Sequence, residues 1–173
     1  MILEGKLVQL RPMTEADKPA FYEMATNSDA TPYLYGELHG DPIPTREKLF
    51  SDYTDHYFDD SKPELGRCFA IMVGERMVGQ VSYNDIDRIR NIVELDIWIA
   101  KNSDTGKGYG SDSLKTLMSY LFREMHVGHF FICPSPSNPR AVRGYQNAGF
   151  SIVETFIDRF GKEAMRMEVT WKK

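Results

Sequence analysis

The stretch DTGKGYGSDSLKTLMSYLF, Asp104 to Phe122, constrains the chain more than any other. Ahead of it, IVELDIWIA (Ile92–Ala100) is rich in β-branched residues and reads as a strand. Within and just beyond it, Leu114, Leu117, Met118, Leu121, Phe122 and Met125 recur at helical spacing as one continuous apolar stripe. In between, Gly106, Gly108 and Gly110 alternate with Lys107 and Tyr109. A helix N-terminus leaves four backbone N–H groups without intrahelical partners and carries about half a positive charge. Glycines let an anion approach those donors closely. Strand, glycine turn and helix in succession therefore describe a phosphate cradle. Asp112, in the first helical turn, is placed to cap the same donors, which counts against an anion there.

The turn alone leaves its ligand open. A P-loop requires G-x-x-x-x-G-K-[ST], and no such string occurs; Lys107 is followed by Gly108. The dinucleotide fingerprint G-x-G-x-x-G fails as well, because Ser111 and Ser113 stand where its last glycine belongs. An ordinary glycine-rich connection without a ligand fits the turn equally well.

Elsewhere, LVQLRPM alternates apolar and polar residues and reads as a first strand. Thr14, with Asp17 three residues on, forms a weak capping box for a helix that turns Phe21, Met24 and Ala25 inward. Ser28–Pro44 collects Gly and Pro and reads as a loop. Thr45 caps a second helix with Leu49, Phe50, Tyr53 and Tyr57 on one side. CFAIMV and MVGQVSY, joined at Gly74-Glu75-Arg76, form a hairpin, and HFFIC is a short buried strand. Asn138, Pro139 and Gly149 bound a further helix with Ala141, Val142, Tyr145 and Ala148 on one side. FSIVETFI and AMRMEVTW end the chain as strands. The order predicts an α/β (α+β) fold in one domain over residues 1–173, with a mixed, mostly antiparallel sheet of about seven strands and about four helices on both faces.

Bulk properties narrow the function. Apolar residues make up 42% of the chain, yet no run approaches the ~20 residues of a membrane helix, and the N-terminus has no long apolar leader segment. We expect a soluble cytoplasmic protein with no membrane partner. The net charge is −4 with no basic run, so a nucleic-acid partner is not expected, whereas a cationic ligand suits the acidic excess. Cys68 and Cys133 form no metal spacing, and His39, His56, His126 and His129 match no ligand motif, so no metal is expected.

PSPSNPRAVRGYQNAGF (Pro134–Phe150) supplies a second motif. Together, GKGYGS and N-x-x-A-x-x-x-Y-x-x-x-G-F, in this order and with the predicted elements, resemble the GNAT superfamily of acetyl-CoA-dependent N-acyltransferases. A narrower likeness joins ELDIWIA, GKGYGS and CPSPSNPRAVRGYQNAGF to the aminoglycoside 6′-N-acetyltransferases, with Cys133 where those enzymes have an Asp and Thr105 where the superfamily usually has Arg or Gln. The resemblance implies a sheet splayed between its fourth and fifth strands, here IWIA and FFIC, with the pantetheine arm of acetyl-CoA in the gap. It implies backbone contacts from Ile97, Trp98 and Ile99, a diphosphate on Gly106, Lys107, Gly108, Tyr109, Gly110 and Ser111, and an arm contact at Asn138. A primary amine then attacks the thioester directly in a ternary complex. Tyr145 matches the family's general acid, and Asp96 matches the strand Asp of the 6′-N-acetyltransferases. Oligomeric state, monomer or homodimer, is left open.

Each role has a plainer alternative. Tyr145 can be a helix tyrosine packing its ring, and Asp96 a solvent-facing strand residue. Asp96 and Glu94 share one face of their strand, and either carboxylate can accept the proton an amine must lose. Cys133, in the apolar context FFIC, reads as an inert buried residue rather than an acyl carrier. DYTDHYFDDSKPE (Asp52–Glu64) offers either a surface for a polycation or a solvated helix end. Tyr33, Tyr35 and the Ser28–Pro44 loop are expected to shape substrate choice. The expected acceptor is a small cationic, aminoglycoside-like amine. A protein N-terminal acetyltransferase of the ribosomal-protein type is the alternative, suggested by the opening LEGKLVQLRPMTEAD, and a non-catalytic acyl-CoA-binding module is a third reading.

Overall fold

A computed structural model describes residues 1–35, 40–158 and 161–171. The expected first strand is a tight hairpin of two, β1 (Leu3–Glu4) and β2 (Gln9–Pro12), closed by the Gly5 N–H donating to the Val8 carbonyl at 2.8 Å. Among the described residues, this split brings the sheet to eight strands rather than about seven. The others are β3 (Gly66–Val73), β4 (Arg76–Asp87), β5 (Ile92–Ile99), β6 (His129–Ile132), β7 (Ser151–Ile157) and β8 (Glu163–Thr170). Their order is β1-β2-β3-β4-β5-β6-β8-β7, antiparallel throughout except for the β5–β6 pair.

Among the described residues, five α-helices accompany the sheet: α1 (Lys18–Thr26), α2 (Thr31–Leu34), α3 (Arg46–Asp52), α4 (Tyr109–Glu124) and α5 (Pro139–Ala148). The short α2 lies in the stretch expected as loop. Pro32 sits in its first turn, and the Thr31 hydroxyl accepts the Ser28 N–H at 2.9 Å. The second expected helix is shorter than its apolar pattern suggested, because Tyr53 is already extended. Phe50, Tyr53 and Tyr57 still pack beside Leu49 through a following 3₁₀ turn.

Alternation along β5 sorts two cores. Val93, Leu95 and Ile97 meet Leu114, Leu117, Met118 and Leu121 of α4. Those four α4 side chains are fully buried, each contributing roughly 1.5–3 kcal/mol of apolar burial. Trp98, on the opposite face, joins Phe21 and Ala25 of α1 and Leu49 of α3. Tyr145 and Val142 of α5 pack on the α4 side.

The parallel pairing of β5 and β6 stops early. Its register runs Ile92 to His129, Val93 to Phe130 and Glu94 to Phe131. Beyond that, β5 stays with β4 as far as the Gly79–Ile99 pair. The chain after β6 follows β8 instead, with the Pro134 carbonyl accepting the Met165 N–H at 3.3 Å. The two strands therefore diverge and open a wedge at the centre of the sheet.

Candidate active site

The wedge is the floor of a cleft of about 840 Å³. Asp96, Ile97, Trp98 and Ile99 form its β5 wall. Gly106, Gly108, Tyr109, Gly110 and Ser111 lie at the start of α4. Asn138 and Tyr145 face them from α5. Phe21, Tyr33, Tyr35 and Tyr53 close the end beneath the helical layer. Of the predicted site residues only Lys107 is not among the cleft lining; its Nζ lies 3.6 Å from Asp104. His39 falls outside the described residues.

Gly108 is the N-cap of α4, with φ of 87°. That left-handed backbone turns the chain from the loop into the helix at little steric cost to glycine. The first intrahelical bond runs from the Asp112 N–H to the Gly108 carbonyl at 2.9 Å. The amides of the preceding turn therefore lack intrahelical acceptors and point toward the cleft end of the helix. Asp112 does not cap them, contrary to expectation. Its Oδ2 accepts the N–H groups of Leu7 at 2.7 Å and Val8 at 3.1 Å. One turn into the helix, the carboxylate reaches sideways to the β1–β2 hairpin, and the cradle keeps its donors.

Asn138 caps α5, its Oδ1 accepting the Ala141 N–H at 3.2 Å. Tyr145 lies on the same helix, its ring edge against Phe150 at 6.5 Å. Burial pushes the Tyr145 phenol well above its usual pKa, and the charge of Asp96 pushes it further. Both effects keep the proton on the oxygen at neutral pH. Burial and Asp96 also push Tyr35 up to about 12 and Tyr53 well above its usual value. Asp96 thus lies within electrostatic reach of phenols from the helical layer and from α5.

Asp96 and Glu94 share a sheet face, as expected, opposite Ser82 and Asn84 of β4. Glu94 is raised by burial and by Asp96, and Asn84 opposes the rise with a hydrogen bond. Asp96 lines the cleft; Glu94 is not among its lining residues. Cys133 corrects a second expectation. Strand β6 ends at Ile132, just before Pro134, so Cys133 stands exposed on the cleft wall rather than buried in the sheet. Partial burial of its sulfur and the charge of Glu94 push its pKa up, which favours the unreactive thiol.

Three features escaped the sequence reading. Asp104, 3% exposed, receives a bidentate contact from Arg76 at 2.6 and 2.9 Å. Arg140 and Arg143 of α5 line the cleft, a pairing that their three-residue spacing could have revealed. Four of the five acids of Asp52–Glu64, all of them exposed, make ion pairs within the chain: Asp52 with Lys48, Asp55 with Lys18, Asp60 with Arg67, and Glu64 with Arg88. Among the described residues, no cluster of three His, Cys, Asp or Glu could hold a metal, and no helix is long and apolar enough to cross a membrane.

A splayed sheet, a helix N-terminus without a side-chain cap at its mouth and a protonated phenol across the gap form a cleft that can seat an extended, anionic ligand. The chain belongs to the GNAT family: residues 8–151 match the Acetyltransferase (GNAT) domain model. It is 29% identical over 152 residues to an aminoglycoside N(6′)-acetyltransferase type 1 of Klebsiella pneumoniae, spanning 83% of this chain and 73% of the relative. It is 26% identical over 105 residues to a putative ribosomal N-acetyltransferase of Bacillus subtilis, spanning 61% and 55%. Among solved structures, the aminoglycoside acetyltransferase AAC(6′)-Ib in complex with coenzyme A and kanamycin superposes with a TM-score of 0.74 at 26% identity, covering 94% of each chain. The protein is an acetyl-CoA-dependent N-acetyltransferase, with acetyl-CoA as co-substrate.

Proposed function

We propose that the chain acetylates a primary amine on a small cationic acceptor, aminoglycoside-like, by direct attack on the thioester in a ternary complex. The observation that carries this reading is the approach of two groups across one wedge: Asp96 on β5 and Tyr145 on α5, with the charge of the first acting on the phenol of the second. The amides of Gly106–Ser111 receive the diphosphate, and the backbone of Ile97, Trp98 and Ile99 pairs with the pantetheine arm. An oxyanion developing at a backbone donor there is stabilised by about 2.7–4 kcal/mol. Asn138 orients the arm through the part of its amide that the cap leaves over. Asp96 attracts the ammonium and accepts its proton, directly or through water. Tyr145 holds its proton until the thiolate leaves, then gives it up.

The 29% identity to an aminoglycoside enzyme supports this acceptor, as does the acidic excess of the chain. The ribosomal relative favours the second reading, a protein N-terminus as acceptor, and Cys133 in place of the Asp of the aminoglycoside enzymes weighs against the first. A screen of aminoglycosides, polyamines and short peptides, reading released thiol, separates them. Turnover with aminoglycosides supports the first reading, and turnover with peptides alone replaces it with the second. Tight acetyl-CoA binding with no amine-stimulated thiol release would leave only a binding module.

A further inference from the structure

Asp104 is out of place for a site that takes a diphosphate. It lines the cleft two residues before Gly106, it is 3% exposed, and it is an anion beside an anion site. Two cations answer it. Arg76, the first residue of β4 just past the β3–β4 turn, grips both carboxylate oxygens at 2.6 and 2.9 Å. Lys107 Nζ stands 3.6 Å from Oδ1, one of the same two oxygens. The three side chains carry one more positive than negative charge. The loop is held at further points: the Asn102 N–H donates to Asp29 at 2.7 Å, and the Thr105 hydroxyl donates to the Asn102 carbonyl at 2.7 Å.

We propose that Arg76 is a positioning residue for the coenzyme: it masks the charge of Asp104 and fixes the loop from which Gly106 and Gly108 present their backbone. The inference rests on the coenzyme reading given above. Its logic is electrostatic as well as mechanical. A bidentate guanidinium–carboxylate contact fixes direction as well as charge. Without Arg76, a carboxylate faces the diphosphate with only the half-exposed Lys107 nearby. Without Asp104, the cations remain and the repulsion disappears. The two halves of one ion pair therefore have unequal effects on coenzyme affinity. A clamp that served stability alone would move the melting temperatures and leave the coenzyme affinity of the folded variants unchanged.

The test is calorimetric titration of coenzyme A into the full-length wild type, Arg76→Gln, Asp104→Asn and the double variant, with melting temperatures alongside. Arg76→Gln should weaken coenzyme A binding by roughly tenfold or more, the scale of a lost charge-assisted contact. Asp104→Asn should weaken it far less, and the double variant should recover part of the loss. With acetyl-pantetheine, which lacks the diphosphate, Arg76→Gln should leave KM at the wild-type value. Should Arg76→Gln not fold, Asp104→Asn decides alone: retained or tightened affinity supports the proposal, and a tenfold loss overturns it. Equal losses in both single variants, no recovery in the double, or an unchanged Arg76→Gln would also overturn it. A wild type that fails to bind coenzyme A would sink the underlying reading as well.

Discussion

Two glycines at the start of α4, two positions apart, should respond oppositely to the same added methyl group. Gly108 holds φ of 87°, and a Cβ there would lie 3.0 Å from the Leu7 Cδ1 atom. Leu7 is 53% exposed and its tip can yield, so the contact costs little. The backbone cannot yield so easily, because a left-handed alanine costs roughly 1–2 kcal/mol. Gly110 has no positive φ and only an ordinary contact to Ile97 at 3.9 Å, already inside α4. Alanine there gains up to about 1 kcal/mol of helix propensity. At about 2–4 °C per kcal/mol for a chain of this length, Gly108→Ala should melt about 2–8 °C lower, and Gly110→Ala at or a few degrees above the wild type. Relaxation of the strained alanine would turn the donors of the cradle, so coenzyme A affinity should also fall in Gly108→Ala. Thermal unfolding followed by circular dichroism reads the first effect, and titration calorimetry the second. Equal losses of melting temperature in the two variants would refute the claim that backbone conformation, rather than room for a side chain, dictates glycine at 108.

Other outcomes follow from the site. Tyr145→Phe should lower kcat toward the low end of the roughly 10²–10⁴ range for general acids, with coenzyme A affinity intact; a fall below about twofold would remove Tyr145 from the mechanism. Asp96→Asn should abolish most turnover across about pH 6–9, and it should lower the spectroscopic titration midpoint of the neighbouring tyrosines; full activity would exclude it as the proton acceptor. Glu94 is raised in the folded chain, so the native state holds its proton more tightly than the unfolded state does. Its ionisation costs stability as pH rises, and the deficit is complete above the folded pKa. Glu94→Gln should therefore raise the melting temperature near pH 8 and bring little gain near pH 4; a gain independent of pH would contradict the burial argument.

What could be read beforehand was local. The stripe from Leu114 to Leu121, the alternation of Val93, Leu95 and Ile97, and the Asn138–Pro139–Gly149 punctuation of α5 each record a contact with neighbours a few residues away or with one core. The missing information was in partners far along the chain. Asp112 looks like a cap because a carboxylate in a first turn usually is one; its true partners, the amides of Leu7 and Val8, lie more than a hundred residues earlier. Asp104 meets Arg76 across 28 residues, and nothing in either segment advertises the pair. Cys133 sits in an apolar run, yet the strand ends before it because Pro134 follows and the chain turns to β8. Local pattern identified the elements, and long-range pairing decided which of their polar atoms were already spent.

The divergence of β5 from β6 also has a kinetic signature. Amide hydrogens in the middle of a sheet normally exchange with solvent only through global unfolding. Here the last residues of β5 run along one neighbour only, so half their amides border open space at the centre of the molecule. In the empty enzyme these should deuterate faster than the amides that face β4. Coenzyme A should slow them if its pantetheine arm pairs with Ile97–Ile99 as proposed, so the protein would report the occupancy of its own seam.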